Sequence, residues 1–221
     1  MGNVIVYIVI FVAVYLFASI PWGFIIGLCK GVDIREKGSG NIGATNVNRI
    51  LGKKFGVLCF FLDFLKGFLP TLAVSLLIKY DVIANDASFA VPIAAFACVA
   101  GHIWSIYLKF KGGKGISTIG GVLLGIAPLS LLVAGAIWVA VFYSLRYVSL
   151  ASICAAAMLP VSAIVFSEIG LYTLSRPTVA LLVLLAALAI ARHAGNIKRL
   201  AAGTENRFCK FKKTTSESKD K

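Results

Sequence analysis

Three short polar segments carry most of the groups in this sequence that could hold an anion or move a proton. The first reads Gly38-Ser39-Gly40-Asn41-Ile42-Gly43-Ala44-Thr45-Asn46, with Arg49 shortly after. Glycines free the backbone to turn N–H groups toward an anion, while Ser39, Asn41, Thr45 and Asn46 add small polar donors and a helix N-cap. A tight turn capping a short interfacial helix, with Val47, Ile50 and Leu51 on its apolar side, would use the same residues, and this segment alone does not choose between the two. The second reads Lys109-Phe110-Lys111-Gly112-Gly113-Lys114-Gly115-Ile116-Ser117-Thr118. Backbone donors at Gly112 and Gly113, a helix N-terminus and the ammonium groups of Lys111 and Lys114 could converge there on a phosphate. Lysine anchoring at a membrane interface is the plainer alternative. The third runs from Arg192-His193-Ala194-Gly195-Asn196 to Gly203-Thr204-Glu205. His193 ends an apolar run among basic residues. An imidazole titrates at about 6.5 when unperturbed, and surrounding cations would hold it neutral, able to act as base or hydrogen-bond partner.

Several familiar chemistries fail on spacing. The first segment contains GxGxxG, but a charged loop precedes it and a long apolar run follows, so the βαβ context of a dinucleotide site is missing. Gly115 stands where the Walker pattern requires Ser or Thr after Gly-Lys. No HxxxxD acyltransferase motif occurs, since Tyr107 and Lys198 lie five positions after His102 and His193. A GxSxG elbow around Ser39 would need glycine at Lys37. Carboxylates for a metal-dependent phosphotransferase are few: Asp33, Glu36, Glu205 and the acids of the tail. Asp63 and Lys66 lie three residues apart on one helix face inside an apolar run; intramembrane charges are expensive, and the pair reads as an internal brace or as a direct participant. His102, near Trp104, reads as a helix-to-helix hydrogen-bonding group or a second catalytic imidazole.

The elements that position these groups must be membrane helices. Of the 221 residues, 59% are hydrophobic and 14% charged, and the mean hydropathy is +0.92. Soluble domains run about 45–50% apolar and about 25% charged, so one water-facing globule is excluded. Apolar runs fall at about 4–29, 56–79, 88–108, 115–145, 147–167 and 177–193. The fourth is too long for one span of about 20 residues, and Gly125-Ile126-Ala127-Pro128 interrupts it. Six basic residues lie from Lys30 to Lys54, three from Lys109 to Lys114 and nine from Arg192 to Lys221, eighteen of the 22 in the chain. A break near Pro128 yields seven spans, one of them short (near 115–127), and puts all three basic segments on one face. The positive-inside rule favours that arrangement, with the N-terminus outside and the C-terminus cytoplasmic.

The expectation is therefore an all-α integral membrane protein of seven transmembrane helices, with a single transmembrane domain over 1–205 and a basic, disordered cytoplasmic tail over 206–221. Gly23/Gly27 and Gly121/Gly125 are small-xxx-small pairs suited to helix packing. Cys29, Cys59, Cys98, Cys154 and Cys209 have no metal-type spacing and read as free thiols. The absence of Lys or Arg before Lys30 argues against a cleavable signal peptide. The basic charge (net +13) belongs to membrane-facing loops and anionic substrates, with no soluble domain to hold nucleic acid.

Taken together and in order, SGNIGATN, KFKGGKGIST and RHAGNIKRL with GTE closely resemble the bacterial acyl-phosphate:glycerol-3-phosphate acyltransferase family (PlsY). The resemblance extends to Leu62-Asp63-Phe64-Leu65-Lys66-Gly67 and Gly101-His102, and so covers essentially the whole chain. It implies transfer of a fatty acyl group from acyl phosphate to the 1-hydroxyl of glycerol 3-phosphate, giving lysophosphatidic acid and phosphate at the cytoplasmic face of the bacterial inner membrane. No metal or cofactor is implied; membrane lipid and enzymes supplying acyl phosphate are the implied partners. Ser39, Asn41, Thr45 and Arg49 match the first motif, Lys111 and Lys114 the second, His193 and Asn196 the third. Ser117 departs from it, standing where alanine is usual before threonine. The candidate catalytic residues are His193, Ser39 and Asn196. The candidate substrate- and phosphate-binding residues are Gly40, Asn41, Gly43, Thr45, Asn46, Arg49, Lys111, Gly112, Gly113, Lys114 and Arg192. Two questions stay open: whether His193 or a substrate phosphate takes the hydroxyl proton, and whether Ser39 binds phosphate or forms an acyl intermediate. A transporter for an anionic metabolite is the rival class; it calls for polar groups at mid-membrane, whereas these motifs cluster at one interface.

Overall fold

The computed structural model describes residues 2–83 and 88–208, and the regular elements in it are helical. In chain order they are α1 (Gly2–Ala18), α2 (Trp22–Leu28), α3 (Ala44–Leu51), α4 (Lys53–Lys79), α5 (Ala90–Ile103), α6 (Ile116–Ile126), α7 (Pro128–Leu145), α8 (Val148–Glu168), α9 (Arg176–Ala191) and α10 (Ala194–Ala201). Among the described residues, five stretches can cross a membrane by length and composition: Val4–Leu28, Lys53–Lys79, Ala90–Leu108, Pro128–Leu145 and Val148–Glu168. α9 and α10 make a sixth if their 52° bend lies within one span, and α6 is a shorter apolar helix. Large apolar side chains such as Ile5, Val9 and Leu132 stay exposed on the outer faces, where lipid would cover them.

The long fourth run does break where the sequence suggests. Ala127 leaves helical geometry (φ −151°, ψ 63°) and Pro128 opens α7, a position where its missing N–H is not needed. The first run also breaks, which the sequence reading did not anticipate. α1 stops at Ala18 and Pro21 precedes α2, freeing backbone carbonyls that lipid cannot satisfy. Buried side chains satisfy them instead: Ser105 Oγ donates to Ser19 O (2.6 Å) and Lys66 Nζ to Ile20 O (2.9 Å).

α5, rich in alanine and buried along most of its length, is the central helix, with α1, α4, α6 and α9 packed around it. α4 and α6 approach backbone to backbone. A Cβ on Gly121 would lie 1.9 Å from Phe64 O, and one on Gly67 would lie 2.2 Å from Thr118 O, so only glycine fits at either position. Gly23 and Gly27 behave differently from the expected helix-packing pair. Their nearest neighbours include Ile42 O and Val32 O of the following loop; they seat the loop that carries the first motif. Cys29, Cys59, Cys98 and Cys154 are free, with Cys29 exposed rather than buried, and Cys209 lies outside the described residues.

The tail expected from residue 206 begins with a packed segment. Phe208 donates its N–H to Arg146 O (2.8 Å), and its ring lies 5.5 Å from that of Phe142. Phe208 thus packs at the end of α7, and the residues after it lie outside the described residues.

Candidate active site

All three motif segments meet at one end of the bundle, beside the start of α8. In the first, Asn46 is buried and shapes the loop. Its Nδ2 donates to Ile34 O (3.0 Å) and Lys37 O (3.1 Å), and its Oδ1 accepts from Ser39 N (2.9 Å). With its amide hydrogens held by loop carbonyls, Asn46 is a brace in this structure rather than a phosphate donor. Asn41 Oδ1 accepts from Gly43 N (2.8 Å). The expected side-chain N-cap is absent: Gly43 occupies the cap of α3 with no side-chain bond. α3 rests on its apolar side through Val47, with Ile50 and Leu51 packed nearby, and presents Arg49 outward. The backbone N–H groups of Ser39, Gly40 and Gly43 are taken up inside the loop, by Asn46 Oδ1, Lys37 O and Asn41 Oδ1, so the segment has the form of a tight turn leading into a short interfacial helix.

In the second segment the glycines serve another purpose than the one expected. Gly112 N donates to Ile103 O and Gly113 N to His102 O, both at 3.0 Å, so these N–H groups close the end of α5 and do not face an anion. A Cβ at Gly112 would lie 2.0 Å from His102 O, and one at Gly113 would lie 2.3 Å from His102 Nε2. Arg192 grips the same turn from the other side, donating to Gly113 O (3.3 Å) and Gly112 O (3.4 Å). Lys114 then enters the site, and Gly115, at φ +82°, turns the chain into α6, a conformation that suits glycine.

In the third segment His193 is 3% exposed and its Nδ1 lies 2.7 Å from Ala189 O. Burial, reinforced by the Lys114 charge, holds the imidazole down at about 4, so it is neutral at neutral pH. A carbonyl oxygen only accepts, hence Nδ1 carries the proton and Nε2 keeps its lone pair. Asn196 links two charges: its Oδ1 accepts from Lys114 Nζ and its Nδ2 donates to Glu205 Oε1 (2.7 Å). Glu205 also accepts from Ser149 Oγ (2.8 Å) and Arg199 Nε (2.7 Å). Burial would push the Glu205 carboxyl up, but these three donors outweigh it and hold it below its ordinary value. Burial draws the Lys114 ammonium down to about 8; Arg199, Arg192 and Arg49 add to this and Glu205 opposes it.

The resulting cleft has a volume of about 180 Å³ and collects Ser39, Asn41, Gly43, Thr45, Asn46, Arg49, Lys114, His193 and Asn196. Gly40, Lys111, Gly112, Gly113 and Arg192 do not line it, and Lys111 is exposed. Ser149, Arg199 and Glu205, with Ser117, Ser152 and Asn206, are polar lining residues not foreseen as site residues. Arg199 and Glu205 belong to the third motif region and were open to notice; Ser149, at the start of an apolar run, carries no sequence signal. Asp63 and His102 form part of the wall. Lys66 Nζ lies 2.9 Å and His102 Nδ1 3.6 Å from Asp63 Oδ1, and with Lys66 also on Ile20 O the trio braces α4, α5 and the α1–α2 break beneath the site.

A second, apolar cavity of about 300 Å³ continues from the cleft, sharing Phe60, Ile116, Ser117, Trp138 and Ser152 with it. It runs along α6 between α7, α8 and α9. One side is open: α7 packs along α8 and α4 along α6, leaving groove-lining Phe60 and Val139 42% and 49% exposed between them. The arrangement offers cations for a polar head directly beside a slot for an apolar tail.

Residues 8–203 match the family model for glycerol-3-phosphate acyltransferase. A glycerol-3-phosphate acyltransferase of Geotalea daltonii is 44% identical over 201 residues, covering 91% of this chain and 97% of the relative. One of Aquifex aeolicus is 43% identical over 194 residues, covering 88% and 95%. The fold is similar to that of PlsY, an integral membrane glycerol 3-phosphate acyltransferase. Its glycerol 3-phosphate form matches with a TM-score of 0.80 at 41% identity, covering 92% of this chain and 96% of that one. Its lysophosphatidic acid form matches at 0.78 and 40%, covering 92% and 95%.

Proposed function

Since the chain belongs to the glycerol-3-phosphate acyltransferase family, we propose that it transfers a fatty acyl group from acyl phosphate to the 1-hydroxyl of glycerol 3-phosphate. Lysophosphatidic acid and inorganic phosphate are released, in the first step of phospholipid synthesis. The observation that carries this reading is the continuity of the cationic cleft with the apolar groove through five shared residues. A donor with a phosphate head and an acyl tail needs both at once.

An acyl phosphate is a mixed anhydride with a good leaving group, so the protein's task is to hold two anions together and aim a hydroxyl at the carbonyl carbon. Arg49, Lys114 and Arg199 bind phosphate and offset charge on the developing oxyanion. Ser39, Asn41 and Thr45 add neutral donors. Asn196 and Glu205 hold Lys114 and Arg199 in place. The hydroxyl attacks, the bond from the carbonyl carbon to the phosphate oxygen breaks, and phosphate leaves. His193 Nε2 accepts a hydrogen bond from the attacking hydroxyl and orients it. Left unprotonated, the departing phosphate would carry a third negative charge and be a far stronger base than an imidazole whose charged form burial disfavours; the hydroxyl proton therefore goes to it, and hydrogen phosphate leaves. Ser39 binds phosphate and forms no acyl intermediate.

The same reading places seven spans across the bacterial inner membrane, with α1–α2 as one and α6 and α7 counted separately, the N-terminus outside, and the cleft at the cytoplasmic face. It is supported by the clustering of basic residues at the cleft end. Purified protein given acyl phosphate and glycerol 3-phosphate in detergent should release phosphate only when both are present. Turnover with acyl-CoA and none with acyl phosphate would overturn the donor assignment.

A further inference from the structure

Past a rim that includes Phe60, Ile116 and Trp138, the groove has small walls on two sides, with Ser152, Ala155 and Ala156 on α8 and Ala186 and Ala189 on α9. α6 and α8 run away from the cleft while α7 and α9 run toward it. On each of these four helices the lining residue farthest from the cleft is a leucine: Leu123, Leu131, Leu159 and Leu185. Leu123 and Leu159 are each 2% exposed and Leu185 is fully buried, so they belong to the packed interior and form a fixed floor. From the shared rim to this floor, Ile116 to Leu123, Ser152 to Leu159 and Trp138 to Leu131 each span seven residues, a depth of about 10 Å on a helix rising 1.5 Å per residue. Three helices thus agree on where the slot ends. The hydrocarbon half-thickness of a bilayer is about 15 Å, so a membrane-length acyl chain is longer than the slot.

Resting on the acyl-phosphate reading above, we infer that Leu123, Leu131, Leu159 and Leu185 act as a ruler. They stop the carboxyl-proximal part of the donor's chain, and a longer chain turns aside through the open face between α4 and α7. The enzyme therefore discriminates among donors that end within the slot and is indifferent to carbons beyond it. Gly135 offers a direct probe, because it lines the slot about halfway down α7 and nothing lies within 4 Å of a Cβ built on it. The first carbon of a side chain there stands in open space, so a substitution starts without a clash.

The experiment compares kcat/KM for butanoyl phosphate and decanoyl phosphate, with glycerol 3-phosphate saturating, in the full-length protein and in Gly135→Leu. The ruler predicts that the decanoyl-to-butanoyl ratio falls by about tenfold or more in the variant, the scale on which an apolar pocket reads a methylene. Leu159→Ala, which lowers the floor, should move the ratio the other way and decides the matter if Gly135→Leu is too inactive to score. A ratio unchanged by these substitutions overturns the ruler while leaving the acyl-phosphate reading intact. A wild-type protein that turns over neither donor overturns that reading, and the ruler with it.

Discussion

Lys114 carries a charge that depends on pH within the working range. Burial lowers its ammonium to about 8, so the free enzyme loses this cation as pH rises through 8, about two units before an ordinary lysine would. The profile of kcat/KM for glycerol 3-phosphate, which reports the free enzyme, should therefore fall above about pH 8. Lys114→Arg should push that fall to higher pH, since guanidinium does not titrate there; an unshifted limb would assign it to another group. Loss of one charge-assisted phosphate contact costs about 1.5–3 kcal/mol, so Arg49→Ala or Lys114→Ala should raise KM roughly ten- to a hundredfold with a smaller effect on kcat. Loss in His193→Ala of the imidazole that orients the hydroxyl should lower kcat by about a hundredfold, the cost of a misplaced reacting group, and a raised KM with normal kcat would make it a binding residue only. That Ser39, Lys114 and His193 would come together was legible because all three lie beside glycines at the ends of apolar runs, and the structure places them in one cleft. Gly112 and Gly113 were misread because a glycine that clears room for an imidazole and a glycine that offers its N–H look identical in sequence. Only the position of His102 separates them.

At the scale of elements, the contact between α4 and α6 has no slack. Gly121→Leu would drive a side chain into the Phe64 carbonyl, 1.9 Å from where its first carbon would stand. Overpacking costs about 1–3 kcal/mol even where neighbours can shift, and here the neighbour is backbone. We expect loss of folded protein in detergent, scored by thermal melting, whereas Gly135→Ala should melt as wild type does. The division of α6 from α7 could be read in advance because Pro128 and the length of the run pointed the same way. The division of α1 from α2 could not, because Pro21 lies inside a run of ordinary span length and a proline is often tolerated in a membrane helix. What decides it is tertiary: Lys66 and Ser105, distant in sequence, donate hydrogen bonds to the freed carbonyls of Ile20 and Ser19.

For the whole molecule, the distribution of charge sets the expected topology. Reporter fusions at Asn3 and Lys221 should localise to opposite sides of the membrane; the same side would overturn the count of seven spans. The all-helical membrane class was the part of this level most legible in the sequence, since composition acts over tens of residues and does not depend on any one contact. The open face between α4 and α7 has a kinetic meaning. A donor whose tail enters sideways, and a product whose tail leaves the same way, never needs to cross water. The encounter is then two-dimensional, governed by molecules per unit area of membrane and not per litre. Added inert phospholipid should slow the reaction at constant total donor by surface dilution, while diluting the whole suspension with buffer containing the same glycerol 3-phosphate should leave the turnover of each enzyme molecule unchanged.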